Sequence, residues 1–484
     1  MFNKKTKIVA TVGPVSDSRE MLYKLAQAGV NVYRLNFSHG THEEHQQRIN
    51  NIRANNEEYG IHNAILQDLQ GPKIRIGNVE SKEGVLIVPG QKLVFTNQQI
   101  IGTSERVSTP YDGMYNDVEV GHQLLLDDGK MAVKVTAIEG SDVITEVIYG
   151  GMLKSKKGVN LPKTRVSMPS VTDKDYADLE FGLANNVEWV ALSFIREAAD
   201  IQKVKDFIKA KGGTARVIAK IEMPEAVDNI DEIIAVTDGI MVARGDLGVE
   251  MLAEEVPMIQ KMIVEKCNRV GKPVIVATQM LESMIDSPRP TRAEVNDIAN
   301  SVLDGADAVM LSAETAAGSF PIESVMAMSK TIAQVEKIEA EKDPDDTKIY
   351  YRHHANVNKT PSNDIINDNV VMSACRLARD TKAKAIIGVT TTGYTGFRIA
   401  HHRPVADLYV FTPNKSMMNT LALYWGVKTV YYDRQHQATD DLVEDIKNEL
   451  VKSGKLEAGD IFVNTLSMPS HAKKRTNTVK LSVV

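Results

Sequence analysis

The sequence predicts an α/β architecture in three parts: a closed barrel of eight β/α units, a β domain inserted into it, and a separate carboxyl-terminal α/β domain. Three observations predict it. Short apolar runs bounded by polar or glycine residues alternate with helical patterns, the signature of parallel strands joined by crossover helices. The spacing of these runs breaks once, and a second αβ pattern follows a polar segment.

The runs are residues 7–11, 30–37, 64–69, 189–194, 217–222, 239–243, 273–278 and 308–312. Eight such units close into a (β/α)8 TIM barrel, which places chemistry at the carboxyl ends of the strands. Residues 1–71 and 167–340 are assigned to it. Between 69 and 189 the chain turns rich in Val, Ile, Thr and Gly, with hairpin-like turns at Asp127-Asp128-Gly129 and Gly150-Gly151. This predicts a β-barrel-like insertion over 72–166. Leaving from the end of the third strand, it hangs where a hinged lid would, although a merely decorative insertion would occupy the same place. After residue 312 a helical stretch leads to a polar segment around 342–364. Runs at 385–390, 408–412, 429–432, 461–465 and 479–484 then predict a mixed sheet in a domain spanning 341–484.

With 484 residues, 43% of them hydrophobic, the chain can bury two or three cores. Its 57 Lys and Arg against 63 Asp and Glu leave a net charge of -6, so nothing global points to nucleic acid or a membrane surface. Any anion site must be local. Cys267 and Cys375 are the only cysteines, which suits a reducing compartment and rules out a disulfide framework. The basic start runs straight into a strand without the apolar stretch of a secretion signal, and no span approaches ~20 apolar residues. The expectation is a cytoplasmic protein.

Charged and hydroxyl residues gather at the strand ends. In the second run, alternation places Arg34, Asn36 and Ser38 on one side, where an arginine fork grips phosphate and small oxygen donors hold a cation. A surface ion pair is the plainer reading of such an arginine. The fifth run brings Lys220 and Glu222 to one face, and the sixth ends Ala243-Arg244-Gly245-Asp246-Leu247-Gly248. Carboxylates from adjacent strand ends make a natural magnesium site beside the lysine, and Gly245 lets backbone amides approach an anion. Against this stands a structural Lys–Glu pair. The seventh and eighth runs add the hydroxyls of Thr278 and Ser312, which elsewhere often serve only as helix caps. Arg289-Pro290-Thr291-Arg292-Ala293-Glu294 mixes turn and helix-start signals, and its arginines suit a subunit or helix interface as well as a substrate.

Together these segments closely resemble the pyruvate kinase family through the barrel, and more loosely in the carboxyl-terminal domain. The resemblance rests on Arg34-Leu35-Asn36-Phe37-Ser38-His39-Gly40, Lys157-Gly158-Val159-Asn160-Leu161-Pro162, Lys220-Ile221-Glu222, Met241 to Gly248, Ala277 to Met284 and Arg289 to Glu294, in the family's order. It implies phosphoryl transfer from phosphoenolpyruvate to ADP, giving pyruvate and ATP. Glu222 and Asp246 would hold Mg2+ or Mn2+, Lys220 and Arg34 would neutralise the phosphoryl group, and Gly245, Asp246 and Thr278 would seat the substrate carboxylate. A water relay near Thr278 and Ser312 would protonate the enolate. His39, Arg75 and Lys157 would meet the nucleotide under the lid, and the assembly would be a homotetramer.

One departure from the family pattern is informative. Potassium-activated members carry Asp-Thr-Lys-Gly-Pro-Glu after the third strand, whereas this chain reads Asp68-Leu69-Gln70-Gly71-Pro72-Lys73. A fixed ammonium at Lys73 would replace a monovalent cation in the pocket of Asn36, Ser38, Asp68 and Leu69, so K+ is not expected to be required. Lys73 pointing into solvent is the bland alternative. The loop Thr390-Thr391-Thr392-Gly393-Tyr394-Thr395 sits where family members bind sugar-phosphate or nucleotide effectors, with Tyr394 departing from the commoner residue and His471, Lys473, Lys474 and Arg475 offering charge instead. Two other classes compete: a lyase using the same carboxylate pair without nucleotide, and a non-catalytic regulator, which the intact charged constellation disfavours.

Overall fold

The computed structural model describes residues 3–162, 164, 166–341, 364–434, 436, 438–468 and 476–484. Eight strands close a parallel barrel in sequence order: Lys7–Thr11, Val32–Asn36, Ala64–Asp68, Trp189–Leu192, Arg216–Ile221, Gly239–Ala243, Val274–Ala277 and Ala308–Leu311. Helices cover the outside and side chains fill the inside, so these strands read as apolar on both faces and are almost wholly buried. Helix starts follow local chemistry, with capping boxes at Thr41/Glu44, Thr172/Asp175 and Thr291/Glu294.

Six of the strands stop one or two residues short of the expected ends, at 37, 69, 194, 222, 278 and 312. Phe194 and Thr278 adopt φ of 55° and 69°, and Ser312 sits at φ -108°, ψ -100°, so the backbone leaves the ladder there. Thr278 and Ser312 are nominated residues that turn out of the sheet, whereas Arg34, Asn36, Asp68 and Lys220 sit within their strands.

The insertion carries a six-stranded sheet and a two-stranded ladder around one core that includes Ile76, Phe95, Leu124 and Val133. Its outgoing and returning chains are paired at the root: Ile76 N–H donates to Lys157 O at 2.9 Å and Val159 N–H to Ile74 O at 3.0 Å. The insertion thus stands on a hydrogen-bonded stalk.

In the carboxyl-terminal domain a five-stranded sheet contains Ala385–Val389, Asp407–Thr412, Val427–Tyr431, Ile461–Leu466 and Thr478–Val483, the last antiparallel to its neighbour and the rest parallel. One buried cluster runs from the barrel interior at Val9, Leu66 and Ile275 into this domain at Val371, Leu421 and Tyr424. Trp189 stitches the two, its Nε1–H donating to Thr420 O at 3.3 Å. Cys267 and Cys375 are buried, and neither is in a disulfide. Among the described residues no helix is long and apolar enough to cross a membrane. The polar segment lies almost wholly outside the described residues, as do His471, Lys473, Lys474 and Arg475.

Candidate active site

Two other strands reach Asp68, which ends the third strand and is 1% exposed at the barrel mouth. From the second strand, Arg34 Nε donates to Asp68 Oδ2 at 2.6 Å, and its Nη1 donates to Thr11 Oγ1 at 3.0 Å. From the fifth strand, Lys220 Nζ lies 3.3 Å from Asp68 Oδ1 and 2.9 Å from Glu222 Oε1, and donates to Ser193 Oγ at 2.7 Å. Inward-facing residues of alternate barrel strands share a layer, which is how the third and fifth strands meet across the mouth.

The electrostatics follow from burial. Desolvation opposes the charge on Lys220, but Asp68 and then Glu222 outweigh it and hold the ammonium's pKa above its ordinary value. Burial likewise opposes ionised Asp68, and Lys220 with Arg34 overcomes it, so this carboxyl stays below its usual range. Glu222 goes the other way. Burial raises its pKa, Lys220 pulls it down, and the nearby charge of Asp246 pushes it up again. Its second oxygen accepts from the Phe194 amide at 2.7 Å, the residue whose left-handed backbone aims that N–H inward. Two carboxylates that repel one another in a partly dry site suit a hard divalent cation.

Asp246 opens the helix Arg244–Glu250, and Lys73 Nζ lies 3.3 Å from its Oδ1 and 3.7 Å from Asp128 Oδ1 on the insertion. Lys73 is therefore a bridge between the insertion and the sixth strand end rather than a solvent-facing side chain. The Gly245 amide donates to Thr278 Oγ1 at 2.8 Å, and that hydroxyl donates to Ala277 O at 2.6 Å. Arg244 supports the arrangement from behind, paired with both oxygens of Asp297 at 2.7 Å while its Nη2 donates to Thr278 O at 2.7 Å. The sequence reading missed Arg244, Asp297 and Ser193, and cast Asp68 only as a cation ligand. Arg244 adjoins Gly245 in a charged strand end, the one signal that pointed to it.

Around this centre the other nominees are spread. Asn36 Oδ1 accepts from the Ser38 amide at 3.1 Å, whereas Asp68 turns to Arg34 and Lys220, and Leu69 is buried with its carbonyl accepting from Ser193 Oγ at 2.7 Å. His39 is held below the ordinary histidine pKa by burial, then by Arg75, Arg34 and Lys73, which marks a positive field on that side of the mouth. Arg75 Nη1 donates to Lys156 O at 3.1 Å, and Lys157 pairs with Asp127 at 2.6 Å, both on the insertion. The Ser312 amide donates to buried Glu314 at 2.7 Å.

In the distal loop, Thr390 Oγ1 accepts from the Gly393 amide at 3.1 Å, while Thr391 and Thr392 are exposed. Thr395 differs from the expectation: it is buried, with its hydroxyl 2.6 Å from that of Thr476, because it follows Gly393 into the helix Tyr394–His401.

The family model for the pyruvate kinase barrel domain matches residues 3–325, and that for the pyruvate kinase alpha/beta domain matches 368–482. The chain is 42% identical to a pyruvate kinase of Geobacillus stearothermophilus, over 100% of this chain and 81% of that protein. It is 41% identical to a pyruvate kinase of Staphylococcus aureus strain MRSA252, over 99% and 80%. A crystal structure of a pyruvate kinase from Cryptosporidium parvum superposes with a TM-score of 0.90 at 34% identity, covering 99% of this chain and 96% of that one.

Proposed function

The chain belongs to the pyruvate kinase family of phosphotransferases, and from that premise we propose that its barrel mouth transfers the phosphoryl group of phosphoenolpyruvate to ADP with a divalent ion and without potassium. The observation that carries this reading is the Arg34–Asp68–Lys220–Glu222 chain of contacts, which fixes two cations in one dry pocket. Phosphoryl transfer asks for positioning and positive charge more than for covalent help. Lys220 is held charged and aimed by Asp68, Glu222 and Ser193. Arg34 anchors Nε and Nη1 on protein oxygens, which orients the remaining face of its fork toward a phosphoryl oxygen.

Glu222 and Asp246 are the residues that would hold Mg2+ or Mn2+, whose chemistry when bound is to neutralise and orient the carboxylate and enolate oxygens of the substrate. The helix start at Gly245 and Asp246, with Thr278, seats the carboxylate. A water relay past Thr278 and Ser312 carries the proton to the enolate carbon. On the opposite side His39, Arg75 and Lys157 receive the polyphosphate of ADP as the insertion closes, and burial, followed by the surrounding cations, favours the neutral state at His39.

Potassium independence rests on Lys73, a fixed ammonium at the mouth whose described partners are Asp246 and Asp128 and not the pocket of Asn36, Ser38, Asp68 and Leu69 in which it was expected. An effector site at Thr390, Thr391, Thr392 and Gly393, domain limits at 71/72, 166/167 and 340/341, a homotetramer and a cytoplasmic setting complete the reading. Pyruvate release with phosphoenolpyruvate and ADP tests it. Activity should vanish on chelation of divalent ions, return with Mg2+ or Mn2+, and persist in sodium- and potassium-free buffer. Pyruvate release without ADP would refute the kinase reading, and strong rescue by potassium chloride would refute the role given to Lys73.

A further inference from the structure

Asn160 lies where the stalk of the insertion enters its sheet, Val159–Asn160 pairing antiparallel with Leu126 and Leu125. Its Nδ2–H donates to Glu250 Oε1 at 2.7 Å. Glu250 is the last residue of the helix Arg244–Glu250, whose first turn carries Asp246. Both partners are more than nine-tenths buried, Asn160 at 6% exposure and Glu250 at 8%, beside a cavity lined by Pro72, Phe194, Arg196 and Met223.

An apolar pair would pack such a place at lower cost. A buried carboxyl loses its hydration, and Asn160 Oδ1 has no hydrogen-bond partner among the described residues. Polar groups kept in a poor energetic setting point to function. The same helix is gripped at its other end, where Lys73 links Asp246 to Asp128 of the insertion. One attachment would let the seven-residue helix pivot, whereas two fix its direction.

We propose that Glu250 is a positioning residue: through Asn160 it ties the inclination of the insertion to the helix that presents Asp246, so that closure over the nucleotide aligns the catalytic carboxylate. This rests on reading the insertion as the nucleotide's cover. Closing swings the stalk, the stalk carries Asn160, and Asn160 draws the carboxyl end of the helix with it. Opening relaxes the same contact and lets Asp246 drift from its productive direction.

The test uses Glu250→Ala, Glu250→Gln, Asn160→Ala and the double variant Glu250→Ala/Asn160→Ala in the full chain. Steady-state kinetics are combined with spin-label distances between Glu139→Cys on the insertion and Lys203→Cys on the barrel, both exposed positions; the two native cysteines are buried. Loss of this buried hydrogen bond should lower kcat about tenfold in Glu250→Ala, raise KM for both ADP and phosphoenolpyruvate, because Asp246 seats the latter, and be largely rescued in Glu250→Gln. The double variant should be no worse than the worse single variant, and the label distances should broaden in Glu250→Ala. Unchanged kinetics and distances in Glu250→Ala would overturn the proposal. So would equal loss of melting temperature and activity in Glu250→Ala and Glu250→Gln, the mark of a purely structural role. If the wild type released no pyruvate, the functional reading would fail, and the distances alone would still decide whether Glu250 restrains the insertion.

Discussion

Replacing Lys220 with Met removes the ammonium that lies 2.9 Å from Glu222 and 3.3 Å from Asp68. At an effective dielectric of about 20, each contact is worth about 5 kcal/mol before the cost of burying the charges. The stability loss is far below their sum. Asp68 keeps Arg34 at 2.6 Å, and Glu222 can escape by taking a proton. From its ordinary 4.5, neutralising that carboxyl at pH 7 costs about 3 kcal/mol, which sets the ceiling. The pH dependence fixes the sign. In the wild type, Lys220 has a raised pKa and its contribution is complete below 10.5, while Asp68 has a lowered one and its contribution is complete above 3.8, so neither changes between pH 5 and 8. Glu222 already has a raised pKa in the wild type, and losing Lys220, which pulls it down, raises it further, so stability falls with rising pH above 4.5 over a wider range in the variant. The deficit in metal-free denaturant melts should therefore grow as pH rises from 5 to 7, staying below that ceiling of about 3 kcal/mol. Loss of the cation facing the transferring phosphoryl group should lower kcat by about 1,000-fold or more in the pyruvate-release assay. A rate within tenfold of wild type, or a deficit that does not change with pH, would refute this account of Lys220.

Lys73→Glu should convert the enzyme to one stimulated by potassium chloride, because it exchanges a fixed ammonium beside Asp246 for a carboxylate; equal rates with and without potassium would count against it. Arg244→Lys should raise KM for phosphoenolpyruvate about tenfold, since one ammonium cannot hold both oxygens of Asp297 and the Thr278 carbonyl together. An unchanged KM would show that Thr278 keeps its φ of 69° unaided. Titrating fructose bisphosphate, ribose 5-phosphate and AMP at subsaturating phosphoenolpyruvate should shift the rate with at least one of them, and flat responses to all three would remove the loop at Thr390 as an effector site.

The barrel was legible because its strands are buried on both faces, so each reads as an apolar run whatever its neighbours are. Lys220 and Glu222 were legible for a related reason: two charges in such a run have no ordinary place there. The bridging role of Asp68 was not, because its contact with Lys220 crosses the mouth between strands that are not hydrogen-bonded neighbours. No local pattern encodes it. The strand ends were overextended at Phe194 and Thr278 because apolar and β-branched residues favour strands, and only tertiary contacts, the carboxylate of Glu222 and the guanidinium of Arg244, reveal the left-handed turns. Thr395 was taken for a ligand-facing hydroxyl because the sequence does not tell which side of a helix start faces inward.

The paired stalk at Ile74–Ile76 and Lys157–Val159 has an evolutionary corollary. Because the two chains enter and leave side by side, the scaffold below meets the whole insertion as though it were one short hairpin, and the entropy of closing a loop rises only slowly with its length. Foreign modules with similarly adjacent termini should be transplantable onto that stump without unravelling the strands beneath, so a new chemistry could be tried by exchanging the cap alone.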